Sequence, residues 1–575
     1  MAENKTEAAE LSTLRDRSTK KMVEVIEHSQ GTPMDKMHYP EVSAGTGESA
    51  VREGAQAKTV HNAELYAALQ ETKIKPWSKE SRKLYFAIFI AFCCACANGY
   101  DAALMTSIIA MPHFQKTFKT STTGSQVSLI FSLYTVGAMC ASPFAAILSD
   151  RYGRRKAMFV GGWTIIVGMV IVSTASTVAQ FIVGRFVLGM GIAVMTVAAP
   201  AYAVEISPPH WRGRCTGFYN CGWFGGSIPA AAVTYGTNYI DSDYSWRIPL
   251  ILQAFACIIV ISSVLFLPES PRYLMANGRD TEALDFLAKY HGNGDPSSRL
   301  VMLEVEEMKE NIRQDGIDKN AWDYRPFLLT HSGRWRMAQV LMISIFGQFS
   351  GNGLGYFNTV IFANIGVNSV SQQLAYNLLN SVLSAVGALT AVSMTDRMPR
   401  RKVLIIGTLV CAVALACNSG LSAALDNQQK HGGVQQSYAK GALASYFLFN
   451  IIFSFTYTPL QAVIPTEALE TTTRAKGLAA SGVIVNAMGF INQFCGPIAL
   501  GNIGYKYIFI FVGWDIIEAL LWFLFGVESQ GRTLEQLEWV YTQPNPVKAS
   551  LQVDKVIVQA DGTVTEKVVT GAEVL

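Results

Sequence analysis

The chain has 575 residues, half of them hydrophobic and only 15 % charged, with a formal net charge of +3. Ordinary soluble domains carry roughly 25 % charged residues, and so small a net charge implies no polyanionic partner; no nucleic-acid motif is present. All ten cysteines fall in or beside apolar runs, without the spacing of a disulfide framework or a zinc site, so no metal is expected.

Taken in order, residues 1–83 are polar and charged, with no apolar run that would serve as a cleavable signal peptide. They read as a cytoplasmic N-terminal tail, disordered or weakly helical. Twelve apolar stretches follow, each near the roughly 20 residues that a spanning helix needs. Six fall in 84–267, at 84–108, 127–148, 157–178, 180–204, 214–236 and 247–267. Six more fall in 336–526, at 337–363, 374–395, 403–424, 441–465, 477–500 and 507–526. Between the two sets, 268–335 is charged and helix-patterned over 281–290 and 300–312, which predicts an intracellular helical linker domain. A polar outside loop is expected at 425–440, and 527–575 reads as a cytoplasmic C-terminal tail.

The stretch Asp150-Arg151-Tyr152-Gly153-Arg154-Arg155-Lys156 recurs as Asp396-Arg397-Met398-Pro399-Arg400-Arg401-Lys402. Short loops dense in Lys and Arg mark the cytosolic side, so both loops and both termini belong there. Glu205 and Arg212 close the fourth stretch, and Glu467 and Arg474 close the tenth with the same Glu-x6-Arg spacing. Pro-Glu-Ser-Pro-Arg at 268–272 ends the sixth, and Val-Glu-Ser-Gln-Gly-Arg at 527–532 ends the twelfth. Two similar halves facing the same way are the plan of the major facilitator fold. The expected fold is therefore an all-α integral membrane protein, with 12 transmembrane helices in two parallel six-helix bundles.

On these paired loops, together with Gly184-Arg185-Phe186 and Arg474-Ala475-Lys476-Gly477, the chain resembles the sugar porter branch of the major facilitators. The resemblance covers about residues 84–540. Within that branch, Cys93–Asp101, Pro208–Pro229, Gly347–Asn358 and Val527–Pro546 resemble fungal cellodextrin and lactose permeases more closely.

Ionisable side chains inside spans are costly, and each is a functional hypothesis. Asp101 on the first span and Arg185 on the fourth, if they meet, form a pair that protonation of Asp101 breaks; a static packing pair is the other reading. The resemblance implies the first, because proton-coupled sugar porters carry the acid at the matching Gly-Tyr-Asp position. Asp515 and Glu518 share one helix face at i, i+3. They read as a second proton site or as a hydrogen-bonded structural pair, and the resemblance assigns them no role. The cytoplasmic charges Asp150, Arg154, Glu205, Arg212, Asp396, Arg400, Glu467 and Arg474 can bridge the halves when the inner side is closed, biasing one conformation. They can also simply fix topology and compensate helix ends.

A sugar site needs neutral groups that donate and accept hydrogen bonds, plus aromatic faces. The spans supply Asn220, Gln348, Asn352, Asn377, Asn380, Asn486, Asn492 and Gln493, which bind sugar or bond between helices, and Tyr356 is a further candidate for the sugar site. The resemblance places Asn220 where sugar porters commonly have Gln, and Gln348 at the second Gln of their Gln-Gln-x-Ser-Gly-x-Asn signature. Here Gly347 replaces the first Gln, and Asn352 stands one place before the expected Asn. Gly351, Gly353 and Gly355 allow a bend or close packing. With Pro459 fixing the register, Ala462 and Asn486 stand where the family has two pocket tryptophans. Losing both rings opens room for about one more pyranose, with Gln461 and Asn486 suited to its hydroxyls. Alternatively Phe455, Tyr457 or Tyr356 refills the space.

The expected function is proton-coupled uptake of a β-linked disaccharide or short oligosaccharide, cellobiose or lactose, across a fungal plasma membrane by alternating access. The proton is the coupling ion, no other cofactor is implied, and no covalent chemistry takes place. The partners are a small sugar and the lipid bilayer, with tails long enough to bind cytosolic proteins. A facilitative uniporter and a sugar sensor signalling through its tails are the alternatives.

Overall fold

Helix starts follow their caps rather than hydropathy alone. The first span is Lys79–Ile108 in the computed structural model, and it begins ahead of its apolar run because the Ser78 hydroxyl accepts from the Ser81 amide at 3.0 Å. Glu80 adds a favourable negative charge in the first turn. The structure describes residue 72 and residues 74–551 apart from 210, 318–324, 395–397, 432–435, 470–473, 531 and 533, together with two short strands at 556–558 and 564–566. The tail expected over most of 1–83 and the gate residue Asp396 lie outside the described residues.

Ser125–Tyr152, Arg154–Ser173, Val178–Ile206, Arg212–Thr237 and Tyr244–Val264 complete the first half. In the second, the seventh span is broken into His331–Phe349, Asn352–Gly355 and Asn358–Asn364, followed by Val370–Met394, Arg400–Lys430, Gln436–Ala468, Arg474–Ile503 and Lys506–Phe525. Among the described residues ten helices are long and apolar enough to cross a bilayer. The fifth, loaded with Arg212, Arg214, Asn220 and glycines, and the interrupted seventh complete the twelve. The ninth and tenth helices run past their apolar cores, so the loop expected at 425–440 shrinks to the few residues between Lys430 and Gln436. Large apolar side chains such as Phe144 and Phe255 point outward, as lipid contact demands.

Close backbone approach draws the first half together. A Cβ on Gly99 would strike the Trp223 carbonyl, and one on Gly226 would strike the Cys96 carbonyl, so the first and fifth spans touch backbone to backbone. The second and fourth meet the same way, Gly137 against the Phe186 carbonyl and Gly189 against that of Tyr134. Such small-residue contacts are how helices associate without a hydrophobic drive in lipid. They also bring Asp101, Tyr134 and Arg185 to one level.

At the end carrying the basic loops, helices Pro271–Ala276, Asp280–Tyr290, Arg299–Ile317 and Arg325–Leu329 lie between the halves in sequence. His291 is fully buried there, with Nδ1 2.7 Å from Glu304 Oε2 and Nε2 3.2 Å from the Ile206 carbonyl. The stretch read as a C-terminal tail is partly folded: Leu534–Thr542 and Pro546–Ser550 bury Leu537, Val540 and Tyr541 with Ala468 and Val527. The Arg336 guanidinium sits over the Tyr541 ring at 4.8 Å. A separate unit holds Val556–Val558 paired antiparallel with Val564–Glu566, so all-α describes the membrane body rather than every described residue.

Candidate functional site

Asp101 and Arg185 meet. Arg185 Nη1 donates to Asp101 Oδ1 at 2.6 Å and Oδ2 at 2.8 Å, with both side chains buried. Gln253 Nε2 donates to the same Oδ1 at 2.9 Å from the sixth span, where the helix is interrupted at that residue. The Tyr134 ring lies under the guanidinium at 4.6 Å, and its hydroxyl donates to Asn98. A charge pair this dry is costly unless it is well partnered. Here Gln253 and the Tyr134 ring supply part of that support, while Arg185 Nε is buried without a hydrogen-bond partner among the described residues. Gln253 and Tyr134 were not singled out from the sequence. Gln253 had a signal, as the lone amide in an otherwise apolar run.

Next to Tyr134, Thr135 reaches the other half: its hydroxyl donates to Gln493 Oε1 of the eleventh span at 2.8 Å. Two adjacent residues on the second span thus touch the ion pair and the amides of the opposite half. Those amides form a connected set. Asn492 donates to the Gln348 carbonyl at 2.8 Å, and Asn352 donates to the Gln348 side chain at 3.2 Å. Gln461 donates to the Gly347 carbonyl at 3.1 Å, filling the space where a Cβ on Gly347 would stand. The glycine at the family's first Gln position is therefore matched by a glutamine arriving from the tenth span.

Asn380 is buried with its Oδ1 unpartnered among the described residues. Ala462 is exposed beside Gln461, and Asn486 bonds back to the Gly482 carbonyl of its own helix at 2.9 Å. Asn220 is half-buried on the fifth span, apart from these hydrogen bonds. Asn377, by contrast, is structural, donating to Ser107 at 3.0 Å and accepting from Asn358 at 2.9 Å.

The seventh span breaks at Gly351, whose φ of +94° is left-handed and favours glycine. Beyond the break it closes the end opposite the basic loops. Thr106 donates to the Tyr356 carbonyl at 3.1 Å, Thr359 donates to the Thr106 carbonyl at 2.8 Å, and Phe131 meets Phe357 edge to face at 5.1 Å. Tyr239 and Ser371 add a further bond at 2.7 Å. The halves are joined at that far end.

At the basic end, a bridge between halves is expected only with the inner side closed, and the pairs observed lie within each half. Arg154 pairs with Glu205 at 3.0 Å and Asp150 at 3.3 Å, and Ser270 donates to Glu205, all within the first half. In the second, Arg400 pairs with Glu467 at 3.2 Å and Ser529 donates to Glu467. Glu528 accepts the amides of Arg400 and Arg401 at 2.8 and 3.1 Å, capping the ninth span. Among the described residues each of these pairs lies within one half. The side chains of Arg212 and Arg474 lie outside the described residues. Burial pushes the Glu269 carboxyl above the usual glutamate range, with the Ser270 amide and Arg155 pulling the other way. Ser270 and Ser529 were legible only as matching positions in the paired motifs.

Two like six-helix halves around a polar seam, joined at one end and charged at the other, define a major facilitator transporter. Residues 86–541 match the family model described as sugar (and other) transporter. The chain belongs to that family and is a multi-pass membrane transporter of the sugar porter type. It is 28 % identical to the MFS-type transporter criB of Aspergillus cristatus, covering 79 % of this chain and 92 % of the relative. It is also 28 % identical to a high-affinity glucose transporter of Kluyveromyces lactis, covering 80 % and 86 %. A quinate permease of Neurospora terricola is 26 % identical, covering 82 % and 91 %. The fold is shared with the proton:xylose symporter XylE bound to 6-bromo-6-deoxy-D-glucose, at a TM-score of 0.66 and 20 % identity, covering 80 % of this chain and 100 % of that one.

Proposed function

We propose that this transporter takes up a β-linked disaccharide or short oligosaccharide, cellobiose or lactose, together with a proton across a fungal plasma membrane. The observation that carries the coupling is the buried Asp101–Arg185–Gln253 set, joined to the amides of the opposite half through Tyr134 and Thr135. A proton arriving on Asp101 removes the charge that holds Arg185, and the guanidinium then leans on Tyr134 alone. A shift of the second span carries to Gln493 through Thr135. The basic loops are cytosolic by their charge, so the end joined by Thr106, Tyr356 and Thr359 faces outward and the described state is closed outside. Sugar loads from outside with Asp101 protonated, and both leave inward once the halves rock about the central seam.

The larger substrate is supported by the exposed Ala462, by Asn486, and by the exchange of side chain between Gly347 and Gln461, which moves an amide from the seventh span to the tenth. The resemblance to fungal cellodextrin and lactose permeases points the same way. The test is radiolabelled uptake of glucose, lactose, cellobiose and cellotriose in a transporter-null host, with and without a protonophore. Protonophore-sensitive accumulation of a disaccharide is the expected result. Accumulation of glucose alone overturns the substrate, and uptake indifferent to the protonophore overturns the coupling.

A further inference from the structure

A second pair of buried acids lies in the other half, away from Asp101. Asp515 and Glu518, on the twelfth span, are both fully inaccessible and take part in no ion pair among the described residues. Glu518 Oε2 accepts from the Ser350 hydroxyl and from the Tyr457 hydroxyl, the latter at 3.2 Å, and Tyr457 in turn is 2.8 Å from Thr408. Hydroxyls from the seventh and tenth spans therefore converge on one carboxyl oxygen of the twelfth, with Thr408 of the ninth behind Tyr457. Glu518 Oε1 and both oxygens of Asp515 are buried with no hydrogen-bond partner among the described residues.

Among the described residues the surroundings supply no counter-charge. The titratable groups that face the pair are Tyr457 from the tenth span and Cys411 from the ninth, both neutral when protonated. The seventh span contributes Ser350, and Trp514 stands beside Asp515 on the pair's own helix. Two buried carboxylates on one helix face, with no cation beside them among the described residues, repel each other and leave three oxygens without a protein partner. A proton removes most of that cost. Because both hydroxyls donate to Glu518 Oε2, the proton resides on Glu518 Oε1 or on Asp515.

The location gives the proton something to act on. Ser350 is the residue immediately before Gly351, where the seventh span breaks with φ +94°. Gln348 and Asn352 of the amide set flank it at two residues on either side. Phe349 packs against Trp514, ring centroids 5.9 Å apart. The acids hold the near side of the break, and the far side closes the outer end through Tyr356 and Thr359.

We propose that Asp515 and Glu518 form a second proton-binding site, which through Ser350 fixes the bend of the seventh span. Occupied by its proton, the site keeps Ser350 docked on Glu518. Losing the proton leaves two unpaired carboxylates beside the break, and the span moves to relieve them. This site is independent of which sugar is carried and of the role given to Asp101.

The full-length protein in lipid vesicles decides the matter in two arms. Infrared spectra at neutral pH are expected to contain the C=O stretch of a buried protonated carboxyl, shifted by deuterium exchange. That band persists in Asp101→Asn and is lost when Glu518→Gln and Asp515→Asn, both near-isosteric changes, are combined. A parent without the band, or a band that disappears only in Asp101→Asn, overturns the proposal without any reference to transport. In the second arm, sugar exchange is measured against pH in Asp101→Asn. Exchange is expected to fall as pH rises, by about tenfold per pH unit once the proton is lost, the slope of a single titrating site. Adding Glu518→Gln and Asp515→Asn flattens that profile. A profile that is flat before the addition, or unaltered after it, overturns the link to the seventh span.

Discussion

Replacing Asp101 by Asn tests the coupling most directly. The side chain keeps its shape but loses its charge, and only one of its two terminal atoms still accepts. Asp101 now accepts from Arg185 at 2.6 and 2.8 Å and from Gln253 at 2.9 Å. The variant forfeits at least one charge-assisted bond, about 1.5–3 kcal/mol. Outright removal of one partner from a buried pair costs more, about 3–5 kcal/mol. The difference is kept because the Asn oxygen still accepts and the Tyr134 ring, 4.6 Å from the guanidinium, supplies about 2 kcal/mol of cation–π attraction. The variant is therefore expected to fold, with a lowered melting temperature, and to exchange sugar. Uphill transport is another matter. At one proton per sugar, a gradient of one pH unit is worth about 1.4 kcal/mol and drives about tenfold accumulation. Vesicles containing the parent protein should approach that ratio, whereas Asp101→Asn should stop near equal concentrations. Accumulation close to tenfold in the variant refutes the reasoning and moves the coupling proton elsewhere.

Three further outcomes are expected. Ala462→Trp restores a ring of the kind that buries roughly 150–250 Å², and should cut disaccharide uptake by about tenfold or more while leaving or creating glucose uptake; a variant that reaches the membrane and moves disaccharide like the parent refutes the enlarged pocket. Glu205→Gln and Glu467→Gln each remove the charged centre of one of the two alike basic-end networks, so thermal unfolding should show similar losses, about 1–3 kcal/mol each. Strongly unequal losses would mean that one network bridges the halves in another state. Gly99→Leu drives a side chain into the Trp223 backbone; overpacking of that kind costs about 1–3 kcal/mol or more, and should lower stability while displacing Asp101 enough to reduce proton-driven accumulation, with sugar exchange less affected.

Hydropathy, the doubled basic loop and the paired Glu-x6-Arg and Glu-Ser motifs determined the twelve spans, the two parallel halves and the transporter class, because lipid admits only helices that satisfy their own backbone. Asp101, Arg185, Asp515 and Glu518 were visible for the same reason: charge inside a span stands out. Partnership was not visible. Gln253 joins Asp101, and Tyr134 joins Arg185, only because glycine contacts such as Gly189 on the Tyr134 carbonyl set the depth at which spans meet. Nor did spacing say whether Glu205 and Glu467 bridge the halves. Among the described residues Glu205 pairs with Arg154 and Glu467 with Arg400, each within its own half. The glycines announced a weakened seventh span, but tertiary packing decided that it breaks at Gly351 and that Ser350 turns onto Glu518. A one-dimensional pattern records which side chains cannot face lipid. Which of them face one another depends on helix rotation and depth, and those are set by contacts between residues far apart in the chain.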